Sequence, residues 1–163
     1  MRRILIFGNS GSGKSTLAAR LAAESGLAHL DLDSLAWLPT QPPERMPMAE
    51  SVSLINAFTE NNPSWVVEGC YTDLLQVLAD KASEILFLNL PIELCVQNAK
   101  NRPWEAHKYE SREAQDANLE MLLDWIAQYD TRGDVFSLAA HTKFYEDFSG
   151  IKNRILCNEH SFI

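Results

Sequence analysis

Nine consecutive residues near the start of the chain, Gly8-Asn9-Ser10-Gly11-Ser12-Gly13-Lys14-Ser15-Thr16, have the types and spacing needed to hold a phosphate group. They match G-x-x-x-x-G-K-[ST], the phosphate-binding P-loop. Gly8, Gly11 and Gly13 allow backbone N–H groups to close around an anion. Lys14 brings a cation to the β- and γ-phosphates, and Ser15 offers a hydroxyl to Mg²⁺. The flanks agree with the motif: Ile4-Leu5-Ile6-Phe7 reads as a short buried strand, and Leu17 to Ser25 as a helix stopped by Gly26.

Three carboxylates stand where they can serve such a loop. Ala28 to Leu32 reads as a second strand that delivers Asp31 and Asp33 on one side of an extended chain. Asp31 suits Mg²⁺ through water, and Asp33, farther out, suits contact with and deprotonation of an acceptor hydroxyl. Asp33 also suits a helix N-cap. Trp65-Val66-Val67 reads as a third strand ending in Glu68, a carboxylate placed to orient metal-bound water or to face the acceptor. Lys100, Arg102, Lys108 and Arg112 fall in a polar segment between two predicted helices. A closing lid there would deliver cations to the transferred phosphoryl group, with Arg102 and Arg112 the main candidates and Arg132 a third.

The elements that must position these residues alternate. Further helices are expected over 49–61, with Val52, Ile55, Ala57 and Phe58 inward, and over 73–79, 113–129 and 135–148. In 113–129 the core positions are Leu119, Leu122, Leu123 and Ile126. Further strands are expected at 85–90, closed by Pro91 with a helix after it, and at 151–157; four prolines make 39–47 irregular. Strand–helix alternation implies βαβ units around a parallel sheet, with the strand ends converging on one ligand-binding edge. His29 reads as a strand residue, and His107, His141 and His160 as surface. The tryptophans read as packing residues, except that Trp37, together with Tyr71, lies near the proposed site loops.

These residues resemble the nucleoside-monophosphate-kinase-like branch of the P-loop kinases, and within it the adenylate-kinase-like proteins labelled topology modulation proteins. The resemblance rests on Gly8 to Thr16, Leu32-Asp33-Ser34-Leu35-Ala36-Trp37 and Trp65-Val66-Val67-Glu68-Gly69-Cys70-Tyr71. Cys70 stands where Asn is usual. The Asp31-x-Asp33 pair is also similar to that of shikimate and gluconate kinases. The resemblance implies a three-layer α/β P-loop NTPase fold with a five-stranded parallel sheet in the order 2-3-1-4-5 and a small helical lid. Residues 1–163 then form a single P-loop kinase-like domain, with an acceptor-binding segment at about 33–62 and a lid at about 100–115. It also implies ATP, with adenine the expected base, and Mg²⁺ as cofactors.

Charge narrows the partner. The 163 residues hold 14 Lys+Arg against 22 Asp+Glu, a net charge of −8, which opposes a polynucleotide backbone as ligand. Between Leu21 and Asp80 the only Lys or Arg is Arg45, thin provision for a phosphorylated acceptor. The expected activity is therefore transfer of the γ-phosphate from ATP to a small hydroxyl-bearing acceptor. The alternatives are a regulatory NTPase with slow hydrolysis and no acceptor, or a DNA-associated topology-modulation factor. No apolar run approaches the roughly 18 residues of a membrane span, and three widely spaced cysteines suggest neither a disulfide framework nor a zinc site, so a cytoplasmic protein is expected.

Overall fold

The structure is a computed structural model and describes residues 1–158. The central strand β1 (Arg3–Gly8) sets the architecture, because Ile4, Leu5, Ile6 and Phe7 are all fully buried. A strand apolar on both faces must be covered on both faces, which requires helices above and below a parallel sheet. Leu5 and Phe7 point into one core with Ile55, Val67, Leu74 and Phe144, while Ile4 and Ile6 point into a second with Ala18, Leu21, Leu86 and Cys95.

The chain continues through α1 (Lys14–Ser25), β2 (Ala28–Asp31), α2 (Asp33–Ala36), β3 (Trp37–Leu38), β4 (Glu44–Arg45), α3 (Met48–Asn61), β5 (Trp65–Glu68) and α4 (Thr72–Leu78). It ends with β6 (Glu84–Leu88), α5 (Ile92–Lys100), α6 (Arg112–Ala127), α7 (Leu138–Asp147) and β7 (Ile151–Ile155). The five-stranded sheet runs β2-β5-β1-β6-β7, all parallel, which is the expected order with the strands renumbered. The extra strands β3 and β4 form a separate antiparallel ribbon inside the proline-rich segment. In register, Glu68 lies beside Ile6 on one side and Asp31 on the other, so β1, β2 and β5 end together at one sheet edge. Among the described residues no helix is long and apolar enough to cross a membrane.

Several local expectations are corrected. On α3, Ser51 and Ile55 are buried and Ala57 is exposed, because Ala57 lies about 200° around the helix from Ile55. Ser51 is tolerated inside because its hydroxyl donates to the carbonyl of Leu35 at 2.9 Å. On α6 only Ile126 is buried; Leu119, Leu122 and Leu123 are half-buried, and Leu122 faces the cleft described below. The 135–148 helix begins at Leu138, where the Ser137 hydroxyl caps it by accepting from the Ala140 N–H at 3.1 Å. The small helical lid expected at about 100–115 is helical only at its two ends: residues 101–111 run as turns and irregular chain between the end of α5 at Lys100 and the start of α6 at Arg112.

His141 is not a surface residue: it is fully buried, with its ring edge-on to Phe7 and Phe87. The Cys70 carbonyl can only accept, so His141 Nε2 donates to it at 2.8 Å; Nδ1 then accepts from the Tyr129 hydroxyl at 2.6 Å. Both ring nitrogens are satisfied in the neutral form, and burial pushes the imidazole down to about 4. His160 lies outside the described residues.

The low proton affinity of His141 in the folded chain couples folding to pH. Between pH 6.5 and about 4 the unfolded chain binds a proton that the folded chain refuses, so stability falls as pH falls through that window, by up to roughly 3 kcal/mol. Urea unfolding at pH 7.5 and pH 4.5 checks this. Wild type should lose at least about 1 kcal/mol more than His141→Gln on acidification, and equal losses count against it.

Candidate functional site

The polar loop leaves β1 at its buried end and turns directly into α1, so the N-terminus of that helix faces whatever the loop holds. Gly11 and Gly13 take φ values of +78° and +92°, in the left-handed region that favours glycine. Gly11 also passes against α5: a Cβ there would lie 2.4 Å from the Cys95 carbonyl oxygen. Behind the loop, Asn98 Nδ2 donates to the Gly11 carbonyl at 2.9 Å and to Asn158 Oδ1 at 2.8 Å, and Asn158 Nδ2 donates to the Ser12 carbonyl at 2.9 Å. Asn9 is buried and donates to the Ile126 carbonyl at 3.2 Å. Lys14 Nζ donates to the Asn9 carbonyl at 2.8 Å, spanning the loop from its own front.

A cleft of about 960 Å³ opens over this loop. Ser10, Gly11, Gly13, Lys14, Ser15 and Thr16 line it from the P-loop; Gly8, Asn9 and Ser12 form the back of the loop instead. Asp33, Glu68 and Tyr71 line it from the ends of the β2 and β5 segments, and Arg102, Glu105 and Lys108 from the 101–111 turns. Trp125 of α6 lines it too, a role its sequence context did not show.

Glu68 is 2% exposed, and its Oε2 accepts from the Ser15 hydroxyl at 2.8 Å and from His29 Nε2 at 3.2 Å. The hydrogen bond to Glu68 raises the His29 pKa against the opposing effect of burial. A serine hydroxyl beside a carboxylate is an all-oxygen donor set of the kind Mg²⁺ takes together with water and phosphate oxygens. The residues therefore fit the expected ion, with Glu68 as the acid in contact with Ser15.

Asp31 and Asp33 do not continue one strand as expected. β2 stops at Asp31, Leu32 turns helical, and Asp33 opens α2. The turn is locked by Asp31: its Oδ1 accepts the Asp33 N–H at 2.9 Å, and its carbonyl accepts the Ser34 hydroxyl at 2.6 Å. Asp33 is therefore the first residue of α2 and not its N-cap, a position that Leu32 holds. Burial, together with Glu68 and Asp33, pushes the Asp31 carboxyl up to about 6.

Asp33 has a different environment. Its Oδ1 accepts from the Tyr71 hydroxyl, which in turn accepts from Trp37 Nε1 at 2.8 Å, and its Oδ2 accepts from Lys108 Nζ at 3.0 Å. Burial works against the charge on Asp33, yet Lys108, Tyr71 and Lys14 outweigh it and hold the carboxyl below its ordinary range.

The lid cations are arranged unlike the expectation. Arg102 lines the cleft and pairs with Glu105 at 3.1 Å. Arg112 pairs with Asp116 at 3.7 Å, leaves 57% of its side chain exposed, and is not among the cleft-lining residues. Lys108 is the lid cation that crosses to the carboxylates, 3.0 Å from Asp33, 3.8 Å from Asp31 and 3.4 Å from Glu105. Arg132 lies with its guanidinium 3.9 Å from the Trp125 ring centroid and donates to the Trp125 carbonyl, which holds that cleft-lining indole in place.

Arg45, the only cation of the 33–62 segment, is committed elsewhere. Its Nη2 donates to Asp73 at 3.0 Å, and its guanidinium lies 5.1 to 5.8 Å from the rings of Tyr71, Phe136 and Trp37. Arg45 therefore braces the wall that carries Tyr71.

A family model named AAA_18 and described as an AAA domain matches residues 4–118, more than half of the chain. The chain is 27% identical over 158 residues to an uncharacterized protein YqaC of Bacillus subtilis (strain 168), covering 91% of this chain and 84% of that protein. Its fold is shared with an unliganded crystal structure of a sugar kinase from Janibacter sp. HTCC2649, with a TM-score of 0.54, 18% identity, and coverage of 94% of this chain and 85% of that one.

The close approach of Gly11 to α5 predicts a specific intolerance. Gly11→Ala should lower unfolding free energy by more than about 2 kcal/mol and weaken nucleotide binding, whereas Gly133→Ala, with no atom within 4 Å of the added Cβ, should stay within about 0.5 kcal/mol of wild type. Denaturant titration of both variants measures this; equal stabilities would refute it.

Proposed function

The chain belongs to the AAA_18 family, and from that premise we propose that it is an ATP- and Mg²⁺-dependent phosphotransferase acting on a small, uncharged, hydroxyl-bearing acceptor. The observation that carries this reading is the convergence of the P-loop, Asp33 and Glu68 on one cleft roofed by the 101–111 turns. A P-loop with an acid beside its serine serves many NTPases. A second carboxylate, held ionised across the cleft from Lys14, is what an acceptor hydroxyl needs.

In this reading the P-loop amides and Lys14 bind and orient the β- and γ-phosphates. Ser15 and Glu68 hold Mg²⁺, with Asp31 adding negative charge nearby; the ion, when bound, offsets charge on the phosphate oxygens. Asp33 positions the acceptor hydroxyl and takes its proton as the oxygen bonds the γ-phosphorus and the bond to ADP breaks. Trp37 and Tyr71 fix the carboxylate from behind through their two linked hydrogen bonds. The lid contributes Arg102 from inside the cleft. Arg112 joins it only if the first turn of α6 rotates inward.

The acceptor class follows from where cations are spent. Arg45 is locked to Asp73, and Arg102 and Lys108 are paired with carboxylates. A phosphate- or carboxylate-bearing acceptor would meet Asp31, Asp33, Glu68 and Glu105 with little to offset them. The same carboxylates oppose a polynucleotide backbone, which weighs against the DNA-associated reading.

Two outcomes test the assignment. Lys14→Ala should weaken ATP binding by at least about tenfold in a fluorescent-analogue titration, since it removes the cation at the β- and γ-phosphates. Asp33→Asn should keep nucleotide affinity while acceptor-dependent ADP release, screened over neutral sugars, polyols and nucleosides, falls by roughly 10²–10⁴-fold. ADP release that never responds to any acceptor would favour the slow-hydrolysis alternative.

A further inference from the structure

Lys108 sits where the acceptor must work. Its ammonium donates to Asp33 Oδ2 at 3.0 Å, while Asp33 Oδ1 is already held by the Tyr71 hydroxyl, so both oxygens of the base are engaged. The contact joins residues 75 apart in sequence and links the lid to the start of α2. It is not a loose side chain on a loose loop. The lid turn is braced on α6: the Glu105 N–H donates to Gln115 Oε1 at 2.8 Å, Gln115 Nε2 donates to the Pro103 carbonyl at 3.0 Å, and Asn118 Nδ2 donates to the Tyr109 hydroxyl at 3.0 Å. Within the turn, the Lys108 and Tyr109 N–H groups both donate to the Glu105 carbonyl at 3.0 Å. Burial works against the charge on Lys108, but Asp33, Asp31 and Glu105 keep it protonated.

We propose that Lys108 makes the enzyme discriminate against water: its ammonium occupies Asp33 until an acceptor displaces it, so that Asp33 becomes a base only when an acceptor is present. This rests on the reading of Asp33 as the acceptor-side carboxylate. The reaction suppressed is hydrolysis, in which a water proton goes to Asp33, the water oxygen bonds the γ-phosphorus, and the bond to the β,γ-bridging oxygen breaks to leave ADP and inorganic phosphate. In the transfer reaction the acceptor hydroxyl takes the place of that water. An ammonium on Asp33 lowers its affinity for the proton and fills the position from which water would attack. A single water cannot supply the several contacts needed to lift a braced lid cation, whereas a polyhydroxylated acceptor can.

Lys108→Met keeps most of the side-chain stem and removes the charge. With Mg²⁺ and ATP and no added acceptor, its ADP release should exceed that of wild type by about fivefold, the factor that corresponds to about 1 kcal/mol at the barrier. Titration with a fluorescent ATP analogue should show affinity within about twofold of wild type, because the hydrogen bond and ion pairs of Lys108 go to Asp33, Asp31 and Glu105 rather than to the P-loop. Hydrogen exchange without nucleotide should show faster exchange of the 101–111 amides in Lys108→Met, with protection regained in Lys108→Arg. Hydrolysis that is unchanged or lower in Lys108→Met overturns the proposal, as does unchanged lid exchange. If wild type binds no nucleotide, the phosphotransferase reading fails together with this one; nucleotide binding with unchanged hydrolysis removes the gate alone.

Discussion

Like charges crowded at one sheet edge are the constraint around which this site is organised. Asp31, Asp33, Glu68 and Glu105 meet the cleft or border it, and carboxylates this close cannot all stay ionised without compensation. Each receives a different answer. Glu68 takes two donors, Ser15 and His29. Asp33 takes a phenol and an ammonium. Glu105 takes Arg102 and Lys108. Among the described residues Asp31 accepts a backbone N–H and has Lys108 at 3.8 Å, and burial, with Glu68 and Asp33 nearby, pushes it up to about 6. The division of labour between the two aspartates is thus set by their partners rather than by their sequence positions.

The sheet makes that crowding unavoidable. β1 is paired on both edges, with β5 and with β6, and the parallel register places Glu68 beside Ile6 and Asp31 beside Glu68. The polar residues at the strand ends then have one exit, the edge where the P-loop emerges. The core on the α7 side also reaches the site: His141 holds the Cys70 carbonyl, in the loop that carries Glu68 into Tyr71. Packing and chemistry are joined through that one buried imidazole.

How far the site was legible in the sequence depended on the kind of constraint. The P-loop was readable because glycines at fixed spacing answer a local backbone requirement, and Gly11 and Gly13 adopt the left-handed angles it needs. Asp33 and Glu68 were readable as carboxylates after apolar runs. The structure corrects what depends on distant partners. Lys108 becomes distinct from Arg102 and Arg112 only once the lid turn aims it at Asp33, and Arg112 faces outward because the phase of α6 directs it to Asp116. His141 looked like a surface histidine because its partners, Tyr129 and Cys70, stand 12 and 71 residues away. The Asp31-x-Asp33 pattern implied one extended face, but the Asx turn formed by Asp31 itself ends the strand.

The strength of the lid contact suits a gate better than a permanent lock. Lys108 keeps about a quarter of its side chain exposed and Asp33 somewhat more, so the pair resembles a partly solvated ion pair, worth on the order of 1 kcal/mol or less. A fully buried pair would cost several kcal/mol to break and would exclude acceptor as firmly as water. A contact near 1 kcal/mol falls within the binding energy of a few new hydrogen bonds. The acceptor that releases it must donate to carboxylates rather than bring a further negative charge. The neutrality inferred for the acceptor and the displaceable ammonium over Asp33 are then two consequences of one charge arrangement: an acidic pocket in which the lid supplies, through Lys108, the counter-charge to Asp33.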